Sequence, residues 1–93
     1  MQIYVMLGRY STEAVRDISA NRTEKSLSLI KEVGGKVLSM YTLLGGYDVI
    51  LTAEFPTLQV AMKASLGLTI LTGIGFSTYP AISVADFDKM IGK

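Results

Sequence analysis

The chain contains no cysteine, no histidine and no tryptophan among its 93 residues. Without cysteine it cannot form a disulfide bond, a zinc knuckle, an iron–sulfur cluster or a thiol nucleophile. Without histidine it has neither a Ser-His-Asp triad nor the side chain that most often acts as a general base near neutral pH. Any chemistry must therefore use carboxylates, lysine, arginine, tyrosine or hydroxyl groups. We predict no bound metal and no cofactor, and we assign no catalytic residue.

Charged residues are also scarce, at 18% of the chain against roughly 25% in an average soluble domain. Apolar residues make up 49%, and a chain of this length is predicted to fold as one small domain over residues 1–93. Such a domain has a large surface, so the shortage of charge suggests that another copy of the chain covers part of it. The net charge is only +1 and the basic residues form no run, which argues against nucleic-acid binding.

Residues 64–85 carry no charge, a length that could in principle cross a bilayer. Glycines, a proline and several hydroxyl residues interrupt this stretch, which favours the end of a helix, a turn and a strand instead. The amino terminus shows no basic segment followed by an apolar run, so it does not resemble a secretory signal. We therefore predict a cytoplasmic protein with no membrane association.

Apolar periodicity and capping residues divide the chain into alternating strands and helices. Asn21 and Glu24 resemble a capping box before the first long helix, and Gly34-Gly35 marks its end. Strands are predicted over 2–8, 36–44, 47–55 and 74–82, and helices over about 22–33, 58–71 and 84–91, with a short helix after Ser11. The order β-α-β, β-α-β is typical of an α+β ferredoxin-like sandwich, here with a short C-terminal helix.

The predicted strands carry apolar side chains on both faces. Within residues 3–7, Tyr4 and Met6 alternate with three aliphatic residues, and strict alternation in the second strand places Leu38 and Met40 on one face. Two helices can cover only one face of such a sheet, and the other face of a complete monomer should be polar. We therefore predict that the protein is a homo-oligomer in which a second copy covers the remaining face.

The stretch Gly45-Gly46-Tyr47-Asp48 joins the two middle strands. Glycine adopts positive φ angles at no steric cost, so a tight hairpin turn across Gly45-Gly46 is predicted. Gly46, which precedes an aromatic strand residue, is predicted to be harder to replace than Gly45.

Other short motifs accompany this one in a fixed order along the chain. They are Gly8-Arg9-Tyr10, Arg22, Gly34-Gly35-Lys36, Tyr41, Pro56, Thr78 and Ala81. The ordered set resembles the GYD-domain proteins, small ferredoxin-like proteins of bacteria and archaea named for the Gly-Tyr-Asp that stands here at 46–48. The chain departs from similar proteins at Gly75 and Pro80, where they often carry basic residues. The resemblance implies a fold related to the dimeric α/β barrels, paired sheet to sheet as a dimer or higher oligomer, and it implies no particular activity.

Five residues are predicted candidates for ligand binding: Asp48, Arg22, Tyr47, Tyr41 and Tyr4. The Asp48 carboxylate could bind a cation or act as a base, or it could brace the hairpin by accepting backbone N–H groups, which we favour. Arg22, at a helix start, could hold a phosphate or carboxylate, or it could form an ion pair with Asp48. The tyrosines could line a cavity or simply pack within the sheet.

These features favour a small ligand-binding or assembly module that acts as a homo-oligomer, with an apolar pocket between sheet and helices or between subunits. The alternative is a cofactor-free enzyme of the dimeric-barrel type, in which Asp48 or a tyrosine transfers a proton on a small aromatic or carbonyl compound. A third class, a regulatory effector domain, would act only through another protein, because the chain lacks a DNA-binding segment.

Overall fold

The computed structural model describes residues 1–92, in which four antiparallel strands form one sheet. The elements in chain order are β1 (Gln2–Tyr10), α1 (Thr12–Arg16), α2 (Ala20–Glu32), β2 (Lys36–Thr42), β3 (Val49–Phe55), α3 (Leu58–Thr72), β4 (Ile74–Ala81) and α4 (Val84–Ile91). The strand order is β2-β3-β1-β4, so the two outer strands are β2 and β4. This α+β arrangement confirms the ferredoxin-like fold predicted from the sequence.

Side-chain hydroxyls cap each of the helices in this part of the chain. Three caps lie where the sequence predicts them, at Ser11, Thr57 and Ser83. The prediction for α2 is wrong by two residues, because Ser19 rather than Asn21 is its cap. Ser19 has an extended backbone, and its hydroxyl accepts the Arg22 N–H at 3.0 Å, which leaves Asn21 inside the first turn.

The end of α2 depends on a glycine in the left-handed region. Gly34 has a φ of 93°, and its N–H donates to the Lys31 carbonyl at 3.0 Å. The following Gly35 N–H donates to the Ile30 carbonyl at 2.9 Å. These two bonds satisfy carbonyls that the helix would otherwise leave unpaired, as predicted for Gly34-Gly35.

The core lies between the sheet and helices α2 and α3. Tyr4 and Met6 of β1 pair with Ala53 and Leu51 of β3, and all four side chains are buried. The Phe55 ring is fully buried and packs edge-on against the Tyr4 ring, with 5.8 Å between centroids. This aromatic pair therefore anchors one end of the helix-covered face.

Strand β2 contains an irregularity that the sequence pattern does not reveal. Val37 pairs with Ala53 and Ser39 with the preceding Thr52, so Leu38 is the extra residue of a bulge. After the bulge, the even-numbered rather than the odd-numbered side chains of β2 point to the core, so that Val37 and Met40 both pack against it. The prediction that Leu38 and Met40 share a face is therefore wrong.

The connection between β2 and β3 is longer than predicted. Strand β2 ends at Thr42 and β3 begins at Val49, and the Leu43 N–H donates to the Asp48 carbonyl at 2.8 Å across the loop. Neither Gly45 nor Gly46 adopts a positive φ, and a Cβ added to either would meet nothing within 4 Å. The predicted tight turn and the predicted special role of Gly46 are therefore wrong.

The charge-free stretch 64–85 is divided among several elements. It comprises the second half of α3, a left-handed Gly73 with φ 75°, the whole of β4 and the first residues of α4. Across residues 1–92, every helix is too short or too polar to traverse a lipid bilayer. The charge-free stretch therefore forms the end of a helix, a turn and a strand, as predicted.

Candidate functional site

Asp48 binds the end of β1 through its side chain and its backbone. Its Oδ2 accepts the Tyr10 backbone N–H at 2.8 Å, and its own N–H donates to the Gly8 carbonyl at 2.8 Å. With the Leu43 contact already described, three hydrogen bonds converge on this residue. The half-buried carboxylate thus holds the 43–48 loop against β1, which is the bracing geometry.

Arg22 lies on the first turn of α2 and binds neighbouring groups other than the Asp48 carboxylate. One guanidinium nitrogen donates to the Ala14 carbonyl, and the guanidinium carbon lies 5.5 Å from the centroid of the Tyr10 ring. Tyr10 therefore contacts Arg22 through its ring and Asp48 through its backbone N–H. The hypothesis of a direct Arg22–Asp48 ion pair is replaced by this indirect connection.

A small cavity, here called the Arg22 cavity, opens beside this arginine and has a volume of about 90 Å³. Half of its lining side chains are polar and half are apolar. They are Tyr10, Arg22, Thr23, Ser26, Thr42 and Thr72, together with Met40, Val49, Leu51, Leu68, Ile74 and Phe76. Its volume corresponds to roughly three molecules of liquid water at about 30 Å³ each, so it suits only a very small guest.

Tyr47 and Tyr41 lie outside the Arg22 cavity. The Arg9 guanidinium carbon lies 4.8 Å from the Tyr47 ring centroid, so Tyr47 supports the end of β1 through a cation–π contact. Tyr41 pairs with Ile50 on the sheet face opposite the core, and its side chain is 65% exposed. Its position therefore suits an intermolecular contact better than an internal pocket.

Tyr4 lines a second cavity, here called the Tyr4 cavity, with a volume of about 190 Å³. It lies between α3 and the neighbouring strands β1 and β4. Its lining side chains are Tyr4, Leu58, Ala61, Met62, Ser65, Leu66, Thr78 and Pro80. It is about twice the volume of the Arg22 cavity and mostly apolar, which is the usual character of a small-molecule site.

The five candidate residues therefore do not form one site. Asp48 and Tyr47 brace the loop, Arg22 and Tyr4 line separate cavities, and Tyr41 lies on the opposite face of the sheet. Across residues 1–92, no three acidic side chains converge in a way that could hold a metal ion.

The sequence reasoning missed a pair of hydroxyl side chains in the Tyr4 cavity. Thr78 Oγ1 donates to Ser65 Oγ at 3.0 Å, which connects β4 to α3. The available signal was a serine inside a largely apolar helix and a threonine in the strand that follows it. Only the packing of α3 on β4 shows that these two hydroxyls meet.

The bracing role of Asp48 predicts a modest loss of stability in Asp48→Ala, about 1 kcal/mol, because the Tyr10 N–H loses its acceptor. Asp48→Asn should lose less, since an amide oxygen can still accept that N–H. Denaturant melts of the two variants beside the wild type measure the difference. A wild-type melting curve for Asp48→Ala would show that the contact does not stabilise the loop.

Comparisons with known proteins agree with this fold. The family model described as the GYD domain matches residues 4–91. A solved structure, that of the hypothetical protein PHS023 from Pyrococcus horikoshii, is similar with a TM-score of 0.57 and 20% sequence identity, covering 89% of this chain and 92% of that one. No curated protein matches the sequence. At this identity the solved structure supports the fold alone.

Proposed function

Since the chain belongs to the GYD-domain family, whose pattern covers nearly its whole length, we propose that it is a homo-oligomeric module that binds a small ligand within each copy. The observation that carries the proposal is the difference between the two faces of the sheet. One face is covered by helices, and the Arg22 cavity and the Tyr4 cavity lie between those helices and the sheet. The other face carries a central aliphatic patch of Ile3, Val5, Leu7 and Ile50 among polar side chains, and a second copy is its proposed partner.

The uncovered side, here called the open face, follows from the strand register. Its central members are Ile3, Val5, Leu7, Ser39, Tyr41, Ile50, Thr52, Ser77 and Tyr79. Charged residues lie at its two ends, Arg9 at one end and Lys36 and Glu54 at the other. Its central polar groups already satisfy each other, because Ser39 and Thr52 share a hydrogen bond of 2.6 Å. Removing the centre of this face from water therefore buries aliphatic side chains, while the charged residues at its two ends can stay in contact with solvent.

The size and symmetry of the open face suit a second copy of the chain. Four strands spaced ~4.8 Å apart and about seven residues long give a projected area of roughly 440 Å² per copy. Side-chain relief increases the accessible area, so two copies approach the ~1,000 Å² expected of a specific interface. A two-fold axis would place the same aliphatic residues of both copies in contact, as in most homodimers.

Pairing through the open face leaves both cavities accessible, because they lie on the helix-covered side. A ligand could therefore enter each copy independently of assembly. Asp48, the residue considered above as a proton-transfer base, lines neither cavity, and its carboxylate accepts the Tyr10 N–H. The geometry thus favours binding over the catalytic alternative.

Native mass spectrometry of protein purified gently from its host tests the binding part of this proposal. We expect species heavier than whole multiples of the 10.1 kDa chain, because a retained ligand adds mass. The same sample under denaturing conditions is the control and should return the mass of the chain alone. Native masses that are whole multiples of the chain, with no added mass, would contradict ligand binding.

A further inference from the structure

The Tyr4 cavity is lined by a tyrosine whose hydroxyl bonds to no other group among residues 1–92. The Tyr4 side chain is only 3% exposed, and its ring packs against Phe55. Among residues 1–92, its hydroxyl takes part in no hydrogen bond, although buried tyrosine hydroxyls usually find a partner.

This hydroxyl is not sealed inside the core. No side-chain oxygen or nitrogen in the described range is fully buried without a hydrogen-bond partner. The Tyr4 oxygen must therefore keep some accessible surface, and Tyr4 lines the cavity between α3 and β4. The hydroxyl of an almost completely buried side chain that lines this cavity is therefore available to a ligand there.

A second donor lies on the same lining. The Ser65 hydroxyl accepts from Thr78, which leaves its own proton free to donate. The remaining walls are Leu58, Ala61, Met62, Leu66 and Pro80. Among residues 1–92, no acidic or basic side chain lines the cavity, so a charged ligand would lose hydration without gaining an ion pair there.

The volume narrows the class of ligand. A dry apolar cavity of ~150 Å³ accommodates benzene. Three walls of the Tyr4 cavity, Leu58, Met62 and Leu66, are more than half exposed, so it is an open groove, and its volume of about 190 Å³ leaves space for a six-membered ring with one small substituent. Met62 favours an aromatic ring, since a thioether sulfur interacts favourably with aromatic edges.

We propose that the Tyr4 cavity binds a neutral, single-ring aromatic compound whose carbonyl oxygen accepts a hydrogen bond from the Tyr4 hydroxyl. The inference rests on the proposed ligand-binding function and names the class of ligand. The ring contacts Met62, Leu66 and Pro80, and the carbonyl oxygen lies toward β1. The Ser65 hydroxyl is the second donor for the same oxygen.

Two probes that differ in the carbonyl group test this assignment on the full-length protein. Acetophenone carries the carbonyl, and ethylbenzene has a similar shape without it. Titrations monitored by NMR of the protein give the dissociation constant of each probe for the wild type and for Tyr4→Phe. This variant keeps the ring and removes the hydroxyl. Tyr10→Phe is the matched control, because Tyr10 lies on the same strand and lines the other cavity.

We expect the wild type to bind acetophenone, with the affected resonances clustered around the Tyr4 cavity. Tyr4→Phe should weaken acetophenone binding about three- to tenfold, the range expected for one neutral hydrogen bond, and should leave ethylbenzene binding unchanged or tighter. Tyr10→Phe should change neither constant. Equal losses for both probes, or an unchanged acetophenone constant in Tyr4→Phe, would overturn the role of the hydroxyl.

The outcome also separates this inference from the proposed function. Failure of both probes to bind, while protein from its host still retains a ligand, would overturn the ligand class and keep the binding function. Failure of both probes together with no retained ligand would overturn both. Binding of benzoate in preference to acetophenone would show that the ligand class is anionic, against the inference.

Discussion

Replacing Ile50 with lysine is expected to dissociate the protein into monomers. Ile50 lies on a central strand and pairs with Leu7 on one side and Tyr41 on the other, at the middle of the open face. Two-fold pairing would bring the two introduced ammonium groups close together and remove them from water. We expect the dissociation constant to rise by at least a hundredfold, about 2.8 kcal/mol.

Sedimentation velocity of Ile50→Lys beside Ile70→Lys measures this effect. Ile70 is the matched control, because it is 86% exposed on α3, away from the open face, and carries the same substitution. The control should keep the wild-type mass. Equal dissociation of both variants, or of neither, would contradict a dimer formed through the open face. Thermal melts of both variants establish that each remains folded.

Gly8→Ala is expected to destabilise the fold by about 1–3 kcal/mol, the usual cost of an extra methyl group in a full core. A Cβ at this position would lie 2.6 Å from Val49 Cγ1, 2.8 Å from Ile74 Cγ2 and 2.9 Å from Phe76 Cε1. Those three side chains come from two other strands that both pair with β1 at Gly8 or Tyr10. Val49 and Ile74 are buried, so the added methyl group must displace packed atoms beside the Asp48 contact.

Gly46→Ala provides the contrast for this prediction. A Cβ at Gly46 would meet nothing within 4 Å, and the residue does not adopt a positive φ. Its stability should therefore match the wild type or exceed it slightly, since alanine lowers the entropy of the unfolded chain. Denaturant titrations measure the free energy of unfolding of both variants. A Gly46→Ala protein that is less stable than Gly8→Ala would contradict this packing.

Much of the fold could be predicted because its signals are local. The caps at Ser11, Thr57 and Ser83, and the glycine at 34, act within a few residues of their own positions. The bulge at Leu38 could not be predicted in the same way. Apolar residues fill β2 in either register, and pairing with β3 decides between them.

The functional contacts depend on distant parts of the chain, which explains why the sequence predicted them only in part. The bracing role of Asp48 was predicted. Its carboxylate, however, accepts the backbone N–H of Tyr10, which lies 38 positions away and comes into reach only through the β1–β3 register. The Tyr4 cavity depends on small side chains of α3, among them Ala61 and Ser65, facing β4. No periodicity indicates that a tyrosine hydroxyl remains unpaired there.

The size of the wild-type protein in solution tests the central claim most directly. Sedimentation at micromolar concentration should give a dimer or a larger assembly, because a monomer would leave the open face and its aliphatic residues in water. A mass of twice 10.1 kDa or more agrees with the account. A single species of 10.1 kDa across that concentration range would contradict it.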